Sequence, residues 1–330
     1  MRRRTFITVL GGAAAAWSFQ LRAQQRELKR VAVVIPASAD DQDFQQRLKT
    51  FVELLSQSGW NDGRNVQLDI RWVGGDLSRY PAVAKEITGT GTPPDLIVAN
   101  ANPLVAQFQA LTKTIPIVFI AVSDPVGGGF VSNIARPAGN MTGFENFQPE
   151  LGGKWLALLK EAVRNMNQVG ILLQPETSAH IAFQQVIEAA APKLDVRTIP
   201  LPVHDGAEIE QAIAGFANGS QQGLIVLPHP LFFQDRDLII VLAARHRLPT
   251  IYPFKYFATG GGLISYGIDP VEQWRGAAGY LVRILKGERP GDLPVQALNK
   301  YEMVINLRTA KAIGLDLPPL MLNRADKVIE

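Results

Sequence analysis

The chain has 330 residues, of which 47% are hydrophobic and 19% charged, and it contains no cysteine. This length accommodates two domains with cores of their own, and the composition is that of an ordinary globular protein. The absence of cysteine excludes disulfides, thiolate metal sites, a cysteine nucleophile and a lipid-anchored amino-terminal cysteine.

The first 23 residues are predicted to be a signal peptide. Three arginines at positions 2–4 precede an apolar run over residues 6–19, and Ala23 offers a small residue for cleavage. A membrane-spanning helix is the alternative, but the run is short and two glycines interrupt it. Residues 3–7 also resemble the twin-arginine export motif, so this route and the ordinary secretory route both remain open.

Removal of this segment changes the charge balance. The whole chain carries a net charge of +3, and loss of four arginines leaves 29 basic and 30 acidic residues, a net of −1. No basic patch for nucleic acid remains. We therefore expect a periplasmic protein, monomeric, whose mature chain neither inserts into a membrane nor binds nucleic acid.

Beyond residue 28, predicted strands and helices alternate, which indicates an α/β fold with parallel sheets. The first helix is predicted to start near Asp41, because Phe44, Leu48, Phe51 and Leu55 recur at helical spacing. Residues 66–72 alternate apolar and polar side chains, as in a strand near a sheet edge. The other predicted elements of this half are strands at 31–35, 96–98 and 115–120 and helices at 81–87 and 103–112.

The alternation restarts after a cluster of structure-breaking residues at 136–140, so two βα arrays of similar size are predicted. The second array is predicted to contain strands at 169–173, 195–199, 223–227 and 250–252, an amphipathic helix from Leu151 to Val163, and helices at 179–190, 207–216 and 232–245. After 260–262 follow a strand at 263–265, a helix at 270–286, a linker at 290–294, a strand at 301–306 and a helix at 307–313.

These last elements are too few for a third domain, so we expect them to complete the first two. The predicted first lobe comprises residues 28–142 plus about 264–298, and the second comprises 143–263 plus about 299–330. Hinges are predicted at 136–140, 260–262 and 290–294, where glycine and proline concentrate.

No catalytic constellation is present in the sequence, which lacks a G-x-S-x-G elbow, an H-E-x-x-H motif and a P-loop. The four histidines, at 180, 204, 229 and 246, show no metal-ligand spacing and are interpreted as loop or surface residues. Catalytic residues, metal ligands and cofactors are therefore not predicted.

Polar residues follow the predicted strands, where the loops of two facing sheets would line one cleft. Asp124 follows a buried strand and precedes a proline, so it either meets a donor such as an ammonium on a ligand or caps the following turn. Phe254 and Tyr256 are either core aromatics or a stacking wall. The remaining candidates at strand ends are Ser38, Asn100, Asn102, Ser123, Ser178 and Pro228.

Ten motifs spread over nearly the whole mature chain resemble, in order, one family. They are GRNV (63–66), RW (71–72), TIPIVF (114–119), SDPV (123–126), ARP (135–137), GNMTG (139–143), GGLISYG (261–267), ILKG (284–287), VINLRTAKA (304–312) and RADKVIE (324–330). The family is that of the substrate-binding proteins of tryptophan/tyrosine-type ABC transporters.

This resemblance implies the type I periplasmic-binding-protein fold, with two Rossmann-like lobes, three crossings and a ligand between them. It also implies that Asp124, Thr142 and the loop after Tyr266 face the cleft. Relatives often carry Gly-Thr after the third strand, where this chain has Asn100-Ala101-Asn102. That difference affects a loop expected to hold the polar end of the ligand.

The function expected from these features is capture of a small molecule and its delivery to an inner-membrane ABC permease. Aromatic or branched amino acids, or related carboxylates, are the expected ligands. One alternative is a sensor that hands its ligand to a chemoreceptor or kinase, and another is an enzyme using the same cleft. A DNA-binding regulator would need a helix-turn-helix at the amino terminus, where the predicted signal peptide lies.

Overall fold

A computed structural model describes residues 28–89, 91–219 and 221–330, and the predicted signal peptide lies outside the described residues. Within this part of the chain, two sheets form the centres of two α/β lobes. The predicted α/β fold class with two lobes is therefore confirmed. No helix in the described ranges combines the length and apolar character needed to span a bilayer.

The first sheet is parallel throughout. Its strands are β1 (Lys29–Ile35), β2 (Val66–Trp72), β3 (Leu96–Asn100), β4 (Ile117–Val122), β5 (Met141–Glu145) and β11 (Gln296–Ala297). Their spatial order is β11-β5-β4-β3-β1-β2. β2 is an edge strand, as its alternating side chains predict.

The second sheet is parallel except for one antiparallel pair. Its strands are β6 (Gln168–Leu173), β7 (Arg197–Pro202), β8 (Gln222–Val226), β9 (Thr250–Tyr252), β10 (Ile264–Gly267), β12 (Glu302–Asn306) and β13 (Lys327–Ile329). The order is β13-β12-β10-β9-β8-β6-β7, with β10 and β12 antiparallel.

Helices cover both sheets. They are α1 (Gln42–Gln57), α2 (Tyr80–Gly89), α3 (Asn102–Leu111), α4 (Leu151–Ala162), α5 (Ser178–Ala190), α6 (Gly206–Phe216), α7 (Pro230–Gln234), α8 (Arg236–Arg245), α9 (Lys255–Thr259), α10 (Pro270–Leu285), α11 (Leu307–Ile313) and α12 (Pro319–Asn323). The helix predicted at 232–245 is instead two helices that meet at Asp235. The strand predicted at 195–199 starts later, because Asp195 adopts a left-handed backbone conformation with φ 52°.

Helix α1 begins as the sequence predicts, and it anchors the first lobe. The Asp41 carboxylate accepts a hydrogen bond from Phe44 N at 3.0 Å and caps the helix. Its apolar face packs on α10, where the rings of Phe51 and Trp274 meet edge to face with centroids 5.8 Å apart. This pair places α1 and the first turn of α10 side by side at the boundary between the lobes.

The chain passes between the two sheets after β5, after β10 and after β11. The predicted lobe boundaries are therefore displaced by a few residues, since Met141–Glu145 lies in the first sheet and Ile264–Gly267 in the second. The predicted hinge segments at 136–140, 260–262 and 290–294 lead into those three strands. The sequence prediction missed the crossings because they contain buried apolar residues such as Phe147 and Ile268 instead of glycine clusters.

Candidate ligand-binding cleft

A cavity lies between the lobes, and the empty space within its lining, including the part open to solvent, is about 590 Å³. The first lobe contributes α1 and the loops that follow β3 and β4, and the second contributes the loops that precede α5, α7 and α9. Asn146 and the first turn of α10 complete the wall where the chain crosses between lobes. The cavity therefore lies at the carboxyl ends of parallel strands, where ligands bind in open α/β sheets.

Five aromatic side chains form much of this wall: Phe44, Phe233, Phe254, Tyr256 and Trp274. The ring of Phe233 meets that of Phe44 at 4.9 Å and that of Tyr256 at 5.1 Å, both edge to face. Phe254 stacks on Tyr256 with centroids 5.2 Å apart. Connected rings of this kind offer a flat apolar group both stacking and edge contacts.

Arg47 is the charged residue of the lining, and its side chain is buried. It is 6% exposed, and its guanidinium carbon lies 4.3 Å from the ring centroid of Phe44 and 5.5 Å from that of Tyr256. Within the described ranges it makes no ion pair within 4.0 Å. Burial lowers the pKa of Arg47, but a guanidinium remains protonated in proteins. A buried cation without an ion-pair partner favours an anion in the cavity.

Four buried polar atoms of the lining have no hydrogen-bond partner among the described residues: Asn146 Oδ1, His229 Nε2, Gln273 Oε1 and Trp274 Nε1. The Nδ1 atom of His229 accepts a hydrogen bond from Leu231 N at 3.2 Å, which places the proton on Nε2 and makes it a donor. Burial lowers the pKa of His229 well below its ordinary value, so the ring is neutral at pH 7. The Nε2 atom of Gln273 donates to Glu145 O at 2.8 Å, which leaves Oε1 as a free acceptor.

These atoms give the cavity two neutral donors and two neutral acceptors beside the cation. A buried polar atom without a partner costs about 1–3 kcal/mol. A ligand group that reaches one of these atoms recovers part of that cost, so the lining suits a molecule that has hydrogen-bonding groups as well as a ring.

Strained backbone lies beside the cavity in the loop after β3 and near the end of β4. Ala101 has φ 74° and ψ 151°, and Ala121 has φ 56°. Asn102 fixes the loops after β3 and β4 to each other, since its side chain accepts from Ser123 N at 2.9 Å and donates to Ser123 O at 2.8 Å. Such conformations cost about 1–3 kcal/mol each and cluster at functional sites.

Four of the ten predicted site residues line the cavity: Asn100, Asn102, Pro228 and Phe254. The segment after Tyr266 also reaches it, through Pro270, Gln273 and Trp274. Tyr256, considered as part of a stacking wall, lies in that wall.

The other six lie elsewhere, and each has a local contact or position that accounts for it. The Asp124 carboxylate accepts from Gly127 N at 2.9 Å and closes a turn, which is the alternative role left open for it. Thr142 Oγ1 donates to Leu293 O at 2.7 Å inside the first lobe. Ser38 is exposed and donates a hydrogen bond to Asp40, and Ser178 is exposed at the start of α5. The backbone of Ser123 is hydrogen-bonded to the side chain of Asn102, and the ring of Tyr266 stacks on that of Tyr301.

Sequence reasoning missed several lining residues. Arg47 stands three residues after Phe44 on the apolar face of α1, and a cation in that position was a usable signal. Two histidines interpreted as loop or surface residues are buried, with His180 0% and His229 7% exposed. Trp274 was assigned to the core, but its indole N–H remains unpaired beside the cavity. Within the described residues, groups able to hold a metal ion are absent.

Two largely parallel α/β lobes, joined by three crossings around a cavity, are the architecture of type I periplasmic binding proteins. A model of the family described as "ABC transporter substrate binding protein" matches residues 30–329, and the chain belongs to this family. The resemblance predicted from the sequence motifs is thereby confirmed.

Individual proteins show the same similarity. The chain is 26% identical over 268 residues to a tyrosine-binding protein of Clostridioides difficile (strain R20291), covering 81% of this chain and 76% of that protein. A conserved domain protein from Vibrio cholerae O1 biovar eltor superposes with a TM-score of 0.84 and 25% identity, over 92% of this chain and 100% of that chain. An ABC domain from Streptococcus pneumoniae, solved with L-Trp, gives 0.83 at 23% identity over the same shares.

Proposed function

We propose that this chain is an exported, monomeric receptor of an ABC importer that captures a small amino-acid-like or aromatic carboxylate ligand. The buried guanidinium of Arg47, set among aromatic rings between two lobes, is the observation that carries the proposal. A guanidinium pairs well with a carboxylate, and the rings suit a flat apolar group. The tyrosine-binding relative and the L-Trp complex of a similar domain favour the same ligand class.

In this proposal Asn100, Asn102, Pro228 and Phe254 face the ligand, as expected from the sequence. Arg47 and the four unpaired atoms of Asn146, His229, Gln273 and Trp274 join them. Ser38, Ser123, Asp124, Thr142, Ser178 and Tyr266 instead support the surrounding loops and strands.

Binding is proposed to close the cleft. Three contacts join the lobes across its mouth: the Arg236 Nη2 to Asp41 Oδ2 ion pair at 2.9 Å, the hydrogen bond from Gly75 N to Gln234 Oε1 at 2.6 Å, and the rings of Phe44 and Phe233. Opening would break these contacts without disturbing either sheet. A ligand shifts the balance between open and closed forms only by its difference in affinity for the two.

Small-angle scattering of the mature protein tests closure. We expect the radius of gyration to fall when a saturating ligand is added, with bending at the three crossings. An unchanged distance distribution would contradict hinge closure and favour a rigid-site enzyme.

Ligand binding itself is tested by a thermal-shift screen of the mature protein against aromatic and branched amino acids and the matching carboxylates. A ligand present at about 100 times its Kd adds about 2.7 kcal/mol of stability. Titration calorimetry on each hit then gives the affinity. A panel in which no compound raises the melting temperature would contradict the proposed ligand class.

Transport, sensing and catalysis are separated by a deletion strain. Loss of uptake of the labelled ligand supports the importer, whereas intact uptake with lost chemotaxis or gene induction supports the sensor. Conversion of the ligand by the purified protein would support the enzyme. Export is tested by mass spectrometry of the secreted chain, which should begin at Gln24, and by replacing Arg3 and Arg4 with lysine, which should block only the twin-arginine route.

A further inference from the structure

We infer that the cavity selects aromatic monocarboxylates whose second polar group is an uncharged hydrogen-bond donor, and that it disfavours zwitterionic amino acids of the same shape. This inference rests on the proposed receptor function and narrows its ligand class. The sequence-based expectation was the reverse, since Asp124 was a candidate partner for an ammonium group.

The charge of the lining carries the first step. Within the described residues Arg47 is its one charged side chain, and neither aspartate nor glutamate lines the cavity. Three aspartates lie near Arg47. Asp41 is paired with Arg236 at 2.9 Å, Asp269 is paired with Lys255 at 2.7 Å, and Asp43 lies outside the lining. A monoanion in the closed cavity pairs with the guanidinium, whereas a zwitterion adds an ammonium that meets no carboxylate.

The amino termini of two helices add to the positive charge at the cavity. Helices α3 and α5 begin at the cavity, at the lining residues Ala101 and Thr177, and neither helix has a side-chain cap. The partial positive charge of an uncapped helix amino terminus attracts anions and repels cations. Together with buried Arg47, these helix ends make the cavity favourable for a carboxylate and unfavourable for an ammonium.

The unpaired atoms supply the third step. The acceptors Gln273 Oε1 and Asn146 Oδ1 belong to neutral amides, so a hydroxyl can donate to them without bringing a charge into the cavity. His229 Nε2 and Trp274 Nε1 are buried donors without a partner among the described residues, and both belong to residues of the lining. A 2-hydroxy acid with an aromatic side chain has the complementary groups: a carboxylate, a neutral donor and a ring.

Calorimetry on two ligand pairs tests the inference, with L-3-phenyllactate against L-phenylalanine and L-indole-3-lactate against L-tryptophan at neutral pH. Each pair differs only in a hydroxyl against an ammonium. We expect the hydroxy acid to bind tighter by about tenfold or more, because the ammonium of the amino acid leaves water and meets no carboxylate in the cavity. Equal or tighter binding of the amino acids would overturn the inference and leave the receptor function supported. Failure of all four compounds would overturn the inference, whereas the receptor function falls only if the whole thermal-shift panel also gives no hit.

A charge introduced into the lining sharpens the test. Asn146→Asp places a carboxylate where the unpaired amide oxygen lies, and it should shift the preference toward the amino acid by about tenfold. Asn323→Asp adds the same charge at an exposed position in α12 and should leave the preference unchanged. An unchanged preference in Asn146→Asp, with the fold intact by circular dichroism, would overturn the inference.

Discussion

The two lobes present different chemistry to the cavity that they share. The first lobe brings the charge of Arg47 and the amides of Asn100 and Asn102, whereas the second brings the rings of Phe233 and Phe254 and a neutral histidine. All four histidines of the chain, at positions 180 to 246, also belong to the second lobe. Under the proposed function, the first lobe anchors the charged end of a ligand, and the second completes the apolar wall and contributes the buried histidines that respond to acid.

The largest expected effect is a loss of stability of the second lobe, relative to the first, at acidic pH. Burial lowers the pKa of His180 from 6.5 to about 4. Below pH 6.5 the unfolded chain therefore binds a proton at this histidine, whereas the folded chain binds it only near pH 4. The free energy of unfolding is therefore highest above pH 6.5 and falls as the pH is lowered toward 4. The expected loss is about 3 kcal/mol. Denaturant unfolding at several pH values measures it, and His180→Gln should make the profile shallower while leaving the part that comes from buried His229.

A free energy of unfolding that stays constant from pH 7.5 to about pH 4.5 would contradict this assignment. Fluorescence distinguishes the lobes, since Trp155 lies in the second lobe and Trp274 packs in the first. In single-tryptophan variants, the fluorescence of Trp155 should report unfolding at a higher pH than that of Trp274 as the pH is lowered.

Removal of the charge from the first lobe is expected to have the next largest effect. Arg47→Gln removes a charge-assisted contact worth about 1.5–3 kcal/mol, so affinity for a carboxylate ligand should fall about 10- to 100-fold. Stability should stay the same or rise, because a buried unpaired charge is removed. Titration calorimetry and a denaturant curve measure the two quantities.

Arg245→Gln is the matched control, because Arg245 is exposed on α8 and is not a lining residue. It should leave affinity unchanged. Equal affinities of the Arg47→Gln variant and the unmodified protein would assign the anchoring role to the helix ends instead.

Asp124→Ala separates the loops from the cavity. Because this carboxylate closes a turn and does not line the cavity, we expect a loss of about 1 kcal/mol of stability with affinity nearly intact. A denaturant curve paired with calorimetry decides the matter. A large drop in affinity at unchanged stability would return Asp124 to the binding site.

The smallest expected effect is a gain. Glycine adopts the φ of 74° and ψ of 151° found at Ala101 without strain, so Ala101→Gly should stabilise the protein by about 1 kcal/mol after the entropy cost of glycine. Ala258→Gly, inside α9, is the control and should destabilise. A loss of stability in Ala101→Gly would show that packing of the methyl group contributes more free energy than the backbone strain costs.

The sheets were predictable because their central strands are short, continuous apolar runs. Residues 31–35 and 169–173 are examples, and the helix beginning near Asp41 had both its cap and its apolar face in the sequence. The crossings were not predictable from breaker residues. Glycine and proline mark the turns into β5, β10 and β11, while the segments leaving these strands are buried and apolar.

The site was predictable where it follows strands and not where it lies on helices. Asn100 ends a buried strand, Asn102 and Pro228 follow buried strands, and all three line the cavity. Arg47 and Trp274 lie on apolar helix faces, and periodicity alone cannot say whether such a face covers a core or a cavity. Thr142 shows the converse, since a residue within a strand can face its own lobe.

The late return of the chain to its first sheet bears on how the protein is synthesised. The edge strand β11 and the helix α10 that covers α1 come from residues 270–297, after most of the core of the second lobe has been translated. A nascent chain that stops at β5 would expose the side chains that Trp274 and Tyr280 cover, including Phe44, Phe51 and Phe144. The first lobe therefore begins the chain but is completed only after residue 297, and long-range pairing of this kind folds slowly. During that interval the exposed apolar surface of the first lobe is a binding site for a holding chaperone.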